Sequence, residues 1–216
     1  MKTTGRRNFL GMAGLGAITW SLGAAGNHPT AFPQEETHRD RETQAARNGK
    51  KTVILLAHPD FKNSKANRAL AEAVKDIEGV SVTNLYEAPF TAETYRKLLS
   101  GAGSVVFQFP FYWASAPSQL KKWCDELFIG LTEQVKGVKL LVATTTGSEY
   151  DAYRSGGRNR YTLDELLRPY QLLANHSGMI WQTPFAVYGV SLPTAAQSIA
   201  AGALAYREKI EALANG

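Results

Sequence analysis

The segment from Thr145 to Arg160 concentrates residue types that can bind and position a small molecule. It follows a strand-like apolar run, Val138–Thr144, and combines hydroxyl groups, glycines and tyrosines over a short distance. Tyr153 can place a phenol near a substrate, although packing is an alternative role for it. The first part of the segment can supply hydrogen bonds to the polar edge of a ring, through Thr145, Thr146, Gly147 and Ser148.

The segment His58–Asn67 has the pattern of a phosphate-binding loop. It joins an apolar run to a predicted helix, and the N-terminus of a helix presents free N–H groups with a partial positive charge. Ser64, Asn67 and the amides between them are therefore candidates to hold a phosphate. An ordinary helix cap at Ser64 explains the same pattern without a ligand. For His58, the position at a strand end favours ligand contact over simple burial.

A third segment, Phe109–Pro117, places three aromatic residues in succession, Phe111, Tyr112 and Trp113. Exposed aromatic side chains in a loop are unfavourable unless something covers them. A flat aromatic ligand would cover them, and so would a partner subunit. A hydrophobic lid over the core of the protein is the third possibility.

All three segments follow apolar runs, which predict strands buried on both faces, and helical patterns lie between these runs. The alternation implies a three-layer α/β fold. Its five-stranded parallel sheet would have the flavodoxin-like order 2-1-3-4-5, with helices on both faces. The predicted strands are Lys51–Ala57, Val80–Leu85, Ser104–Phe109, Val138–Thr144 and one within Met179–Val187. The predicted helices are Ser64–Glu78, Ala92–Leu99, Ser118–Ile129, Thr162–Asn175 and Thr194–Leu213.

Several residues predict where these elements begin, end or break. Gly79 is expected to stop the first helix, and Thr162 with Glu165 forms a capping-box pattern. Pro169 should kink or shorten the helix in which it lies, and Pro184 should interrupt the fifth strand. In open α/β sheets, ligands bind at the carboxyl ends of the strands, where the three candidate loops are expected to meet.

The first 50 residues are not expected to belong to the folded domain, which should span 51–216. Residues 1–25 resemble a twin-arginine export signal, because Arg6 and Arg7 precede a weakly apolar, uncharged stretch, Phe9–Ala25. A chance arginine pair in a disordered tail and a retained membrane anchor are the alternatives. Residues 26–50 predict a linker. We therefore expect a periplasmic or otherwise exported protein that uses the twin-arginine machinery.

Composition excludes several classes of function. The formal charge of +5 includes Lys2, Arg6 and Arg7, and no basic stripe suggests nucleic-acid binding. Cys124 is the single cysteine, so no internal disulfide is possible. No metal site is expected, because the four histidines are far apart and no cysteines are paired. A Gly-x-Ser-x-Gly elbow and a Walker phosphate loop are both absent from the sequence.

A set of short motifs, in one order and spacing over residues 51–190, resembles the NAD(P)H dehydrogenase (quinone) family. The resemblance is closest to its short bacterial members, including the ancillary quinone reductases of potassium-efflux systems. The motifs are His58-Pro59 with Ser64-x-x-Asn67, Gln108-x-Pro110-x-Tyr112-Trp113, Pro117-x-x-Leu120-Lys121-x-Trp123-x-Asp125, Thr145-Thr146-Gly147, Asn159-Arg160 with Glu165-Leu-Leu-Arg168-Pro169, Gly178-Met179 and Pro184-Phe185.

The resemblance implies a flavodoxin-like fold and a bound flavin, FMN or FAD, with the shorter chain favouring FMN. The residues that correspond to contacts on the phosphate side are His58, Ser64, Lys65, Ala66 and Asn67. Those that correspond to the loop along the isoalloxazine are Pro110, Phe111, Tyr112 and Trp113. The loop at the polar edge of the ring corresponds to Thr145, Thr146, Gly147 and Ser148.

The resemblance also implies an activity, the two-electron reduction of a quinone by NAD(P)H through ping-pong hydride transfer. Tyr153 matches a tyrosine that assists hydride transfer in longer animal quinone reductases, but the histidine that follows there is missing. An arginine, Arg158, is the candidate to stabilise the reduced flavin instead. A homodimer is implied, with Tyr112, Trp113 and 149–160 as its shared surface. The alternative function is a non-enzymatic flavoprotein, either an electron carrier or a regulatory subunit of a membrane complex.

Overall fold

The computed structural model describes residues 51–215. The predicted export signal at 1–25 and the predicted linker at 26–50 lie outside the described residues. Within the described part of the chain, no helix combines the length and hydropathy that crossing a bilayer would require.

A parallel sheet with strand order β2-β1-β3-β4-β5 forms the centre of the domain. This order confirms the predicted flavodoxin-like arrangement, and a further short strand, β6, also pairs with β4 in parallel. The strands are β1 (Lys51–Leu56), β2 (Val80–Asn84), β3 (Ala102–Pro110), β4 (Lys139–Thr145), β5 (Ile180–Trp181) and β6 (Phe185–Val187).

Helices connect the strands as predicted, although several are shorter than the sequence suggested. The helices are α1 (Ala66–Val74), α2 (Ala92–Leu99), α3 (Ser118–Glu126), α4 (Thr132–Val135), α5 (Leu163–Leu166), α6 (Arg168–His176) and α7 (Ala195–Asn215). Short 3-10 turns add Phe61–Asn63, Phe128–Leu131 and Tyr150–Tyr153. The first helix ends four residues before the predicted Glu78, and Gly79 follows with a positive φ of 77°.

The two faces of the sheet carry separate hydrophobic cores, because neighbouring residues of a strand point to opposite faces. Val53 and Leu55 pack with the residues of α2, α3, α5 and α6, whereas Ile54 between them packs with α1 and α7. The same alternation holds in β3 and β4, whose central residues are buried on both faces. The domain therefore has the three layers that the alternating elements predicted.

Two prolines determine where the predicted elements break. The single helix predicted over Thr162–Asn175 is two helices, because Pro169 lies in the first turn of α6 and cannot continue α5. Thr162 caps α5 through the predicted capping box with Glu165. The fifth strand is likewise interrupted at Pro184, which separates β5 from β6. β6 is consequently free to pair with the carboxyl end of β4, beside the loop that begins there.

Candidate functional site

The loops that follow β1, β3 and β4 meet at the carboxyl edge of the sheet and line one cavity of about 550 Å³. Cavities of this size are typical of sites for small molecules and cofactors. The lining residues are His58, Asp60, Asn63, Ser64, Lys65, Ala66, Asn67, Pro110, Phe111, Tyr112, Trp113, Thr145, Gly147, Val190 and Ser191. The three segments that the sequence singled out therefore come together in space.

The amino end of α1 forms one wall of the cavity. Ser64 has extended backbone geometry, and its hydroxyl accepts a hydrogen bond from the amide of Asn67 at 3.2 Å. This contact is the predicted helix cap. The other amides of the first turn have no carbonyl partner within the helix, so they can donate to an anion in the cavity. The Lys65 side chain adds a positive charge to the same wall.

His58, at the end of β1, connects the first loop to the second. Its Nδ1 accepts a hydrogen bond from the Asp60 amide at 3.1 Å, which leaves the ring proton of the neutral form on Nε2. Nε2 lies 3.5 Å from the hydroxyl oxygen of Tyr112, and the two rings meet edge to face. Burial lowers the pKa of His58, against a smaller opposing effect of Asp60. Near neutral pH His58 is therefore an uncharged donor.

The aromatic loop contains a tight turn with strained backbone. Tyr112 and Ser115 exchange two backbone hydrogen bonds of 2.9 Å, and the residues between them, Trp113 and Ala114, have φ values of 48° and 63°. Two positive φ values are the geometry of a type I′ hairpin turn, which normally requires glycine or asparagine. The turn presents the Trp113 side chain with an exposed fraction of 101%, beside the cavity. Strained residues of this kind cluster at functional sites.

The loop after β4 contributes two residues to the cavity wall and two to its support. Thr145 and Gly147 line the cavity, and a Cβ added at Gly147 would lie 3.0 Å from the hydroxyl oxygen of Ser191. Thr146 is buried, and its hydroxyl donates to the carbonyl oxygen of Ser148 at 2.8 Å. The Ser148 hydroxyl accepts a hydrogen bond from Arg158 at 2.6 Å. Thr146, Ser148 and Arg158 thus fix the shape of the loop beside the cavity.

Tyr153 lies beside the main cavity and lines a smaller one of about 250 Å³. Its ring packs edge to face against Phe111, which lies in the wall of the main cavity, with centroids 6.1 Å apart. Burial raises the pKa of Tyr153, against smaller opposing effects of Thr146, Arg158 and Asn159. The phenol therefore stays protonated at neutral pH. Neither Tyr153 nor Arg158 is among the residues that line the main cavity.

Four lining residues were not among the predicted site residues: Asp60, Asn63, Val190 and Ser191. The first two lie inside the predicted phosphate-binding loop. There the side-chain amide nitrogen of Asn63 donates to both carboxylate oxygens of Asp60, at 3.1 and 2.9 Å. The other two follow β6, and the amide of Val190 donates to the carbonyl of Thr146 at 3.0 Å. Gly189, two residues after β6 and with a φ of 74°, is the sequence signal that could have identified this fourth loop.

The chemistry of the cavity suits a planar ring that carries a phosphate. A helix N-terminus and a lysine offer positive charge and N–H donors at one wall, and an aromatic turn forms another. The β4 loop adds hydroxyl and backbone groups, and the absence of a side chain at Gly147 lets Ser191 approach that wall closely. A flavin mononucleotide combines a phosphate, a flat aromatic system and a polar ring edge. The residues present therefore fit it.

Comparison with known proteins gives the same fold. A family model described as a flavodoxin-like fold matches residues 50–210. The chain is 36% identical over 171 residues to general stress protein 14 of Bacillus subtilis, a match that covers 74% of this chain and 97% of that protein. It is also 36% identical over 148 residues to KefG of Yersinia enterocolitica, a glutathione-regulated potassium-efflux system ancillary protein; 64% of this chain and 80% of KefG are covered.

A further relative is the NAD(P)H oxidoreductase YdeQ of Bacillus subtilis, at 36% identity over 64% of this chain and 75% of that protein. Among solved structures, general stress protein 14 of Treponema denticola in complex with FMN matches with a TM-score of 0.70 and 29% identity, covering 76% of this chain and 99% of that one. An NADPH-quinone reductase from P. pentosaceus matches with a TM-score of 0.67 and 28% identity, covering 74% and 97%.

A structure described as a thermophilic tryptophan halogenase from Streptomycin violaceusniger matches as well. Its TM-score is 0.68 and its identity 35%, over 72% of this chain and 96% of that one. Because similar chains carry different names, the substrate has to be argued from the site.

Proposed function

We propose that this protein reduces quinones with NAD(P)H. It belongs to the flavodoxin-like NAD(P)H oxidoreductase and quinone reductase family and is a flavin-dependent oxidoreductase. The observation that carries this proposal is the meeting of three loops on one cavity: a helix N-terminus, an aromatic turn and a polar loop. FMN, when bound, supplies the redox chemistry, accepting two electrons from the nicotinamide and passing them to the quinone.

The phosphate of FMN would be held at the amino end of α1. Ser64 caps this helix, and the free amides of Lys65 and Ala66 line the cavity with the positive end of the helix dipole behind them. The Lys65 side chain and the neutral His58 ring complete the donors on this side. Asp60 also lines the cavity, where its carboxylate accepts hydrogen bonds from the side-chain amide of Asn63.

The flat ring of the flavin would lie against the aromatic turn, with its polar edge towards the β4 loop. Pro110, Phe111, Tyr112 and Trp113 form the wall on this side. Thr145 and Gly147 face the cavity, while Thr146 and Ser148 hold the loop in place. In the proposed ping-pong cycle, the nicotinamide leaves before the quinone enters the same space.

Tyr153 and Arg158 are the residues we assign to proton and charge handling. The protonated phenol of Tyr153 lies behind Phe111 and could donate a hydrogen bond to a quinone oxygen as negative charge develops there. Arg158 already contacts Ser148 at the polar loop, so its positive charge can stabilise an anionic reduced ring. Because neither residue lines the main cavity, these roles require each side chain to move towards it.

The proposal is tested with the purified protein, reconstituted with FMN, in an assay of NAD(P)H oxidation with a soluble quinone. We expect turnover, with parallel lines in double-reciprocal plots at several fixed quinone concentrations, as a ping-pong mechanism requires. If the FMN-loaded protein shows no turnover with any electron donor, the reductase function is rejected. An electron carrier or a regulatory subunit is then favoured instead.

A pair of matched helix-cap variants separates flavin binding from general stability. Ser64 and Thr91 each cap a helix by accepting an amide hydrogen bond of 3.2 Å, but only Ser64 lines the cavity. Ser64→Ala and Thr91→Ala should each cost about 1 kcal/mol of unfolding free energy. Only Ser64→Ala should weaken FMN binding. Equal FMN affinity in the two variants would count against a phosphate site at α1.

Export and dimerisation belong to the same proposal. The twin-arginine pattern at Arg6 and Arg7 supports transport of the folded, cofactor-loaded protein to the periplasm. Replacement of both arginines by lysine should then leave the protein in the cytoplasm on cell fractionation.

The exposed Trp113, with Tyr112 and the 149–160 loop, supports a homodimer interface at the flavin sites. A strictly monomeric profile in sedimentation would contradict the dimer.

A further inference from the structure

A chain of buried hydrogen bonds runs behind the cavity from α7 to β4. The Tyr206 hydroxyl donates to Oε1 of Gln108 at 3.1 Å, and Nε2 of Gln108 donates to the backbone carbonyl of Asn67 at 2.9 Å. The side-chain amide of Asn67 donates in turn to the Thr145 hydroxyl at 3.0 Å. This series of hydrogen bonds therefore connects α7, β3, α1 and β4 at the level of the site.

Gln108 is the centre of this chain and has no exposed surface, although it lies in the middle strand of the sheet. A buried amide is costly unless its groups are paired, so its orientation is decided by its partners. The backbone carbonyl of Asn67 can only accept, so it pairs with the amide nitrogen of Gln108, and the Tyr206 hydroxyl donates to the amide oxygen on the other side. Tyr206 and Asn67 together thereby hold the Gln108 amide in one orientation between α7 and α1.

Asn67 receives contacts on four of its groups. Its backbone amide donates to Ser64, its carbonyl accepts from Gln108, its side-chain nitrogen donates to Thr145, and its side-chain oxygen lies 3.5 Å from Nε2 of Gln108. Asn67 is also the second residue of α1 and lines the cavity. Its position consequently fixes the first turn of the helix, where the free amides are.

We propose that Gln108 and Tyr206 are positioning residues that hold the amino end of α1 in the geometry that binds the phosphate of the cofactor. Neither residue lines the cavity, so both act through Asn67. The inference rests on the proposed function, since it assumes that FMN places its phosphate at α1. Preorganised donors bind an anion without the cost of ordering them, so a loosened first turn should weaken phosphate binding in particular.

The test compares FMN with riboflavin, which has the same ring system and lacks the phosphate. The full-length protein is freed of flavin, and the dissociation constants of both flavins are measured by fluorescence quenching. The variants are Tyr206→Phe, which removes one hydroxyl, and Gln108→Met, which removes both contacts at similar side-chain volume. Tyr95→Phe is the matched control, because the Tyr95 hydroxyl is also fully buried but has no hydrogen-bond partner.

We expect Tyr206→Phe to raise the dissociation constant of FMN about threefold to tenfold and Gln108→Met to raise it further. The value for riboflavin should stay within about twofold in both variants, and Tyr95→Phe should change neither value. Thermal unfolding verifies that each variant is folded, and Tyr206→Phe alone suffices if Gln108→Met does not fold.

The outcomes separate this inference from the function on which it rests. A wild-type protein that binds neither flavin would remove the proposed function and the inference together. A wild-type protein that prefers FMN to riboflavin, with an unchanged preference in both variants, would overturn only the inference. Equal weakening of both flavins would also overturn it, because it would show a general structural role for the hydrogen-bond chain.

Discussion

Replacement of Ala114 by glycine should stabilise the protein, which is the opposite of what this change does in most places. Ala114 is exposed, so no packing is lost, and its φ of 63° lies in the left-handed region. That conformation costs a residue other than glycine about 1–2 kcal/mol. Glycine adds about 0.5–1 kcal/mol of backbone entropy lost on folding. The net gain in unfolding free energy should be about 0–1.5 kcal/mol, centred near 0.7 kcal/mol.

The assay is thermal unfolding of the flavin-free protein, in which a gain of this size should raise Tm by about 1–4 °C for a domain of this length. The control is Ala200→Gly, an exposed site within α7, where glycine should cost about 1 kcal/mol and lower Tm. If Ala114→Gly lowered Tm as Ala200→Gly does, the turn at Tyr112–Ser115 would not hold the strain that we describe.

Three further results are expected. Because burial lowers the pKa of His58 below its usual 6.5, the unfolded chain takes up this proton first as pH falls. The unfolding free energy should then drop below about pH 6.5 and level off under the folded-state pKa, and His58→Gln should remove this part of the profile. Gly202→Ala should cost about 1–3 kcal/mol in denaturant unfolding, since its Cβ would lie 2.5 Å from a methyl group of Val187; a neutral change would contradict that close packing. Tyr153→Phe should lower kcat with a quinone about a hundredfold, with FMN affinity unchanged, and unaltered kcat would remove Tyr153 from proton handling.

Most of the fold could be predicted because the sequence contains clear local signals for strands, helix caps and helix ends. The apolar runs identified the strands, and the alternation of strands and helices implied the parallel order 2-1-3-4-5. Ser64 and Thr162 cap helices as expected, and Gly79 and Gly178 follow helices with positive φ values. These signals act over a few residues, so a single sequence contains them in full.

The parts that could not be predicted depend on contacts between distant segments. Val190 and Ser191 reach the cavity because β6 pairs with the end of β4, a choice of register that local patterns do not specify. Tyr153 is held outside the cavity by its packing on Phe111. The turn at Trp113 and Ala114 lacks the glycine or asparagine that normally signals its type, so its strained backbone gave no sequence signal.

The most direct test of the central claim is the crystal structure of the protein grown with FMN. The account predicts the phosphate within hydrogen-bond distance of the amides at Lys65 and Ala66, and the isoalloxazine against the loop 110–113. It also predicts the polar edge of the ring at the loop that begins with Thr145. A flavin bound elsewhere, or a cavity at these three loops that stays free of flavin at saturating FMN, would contradict it.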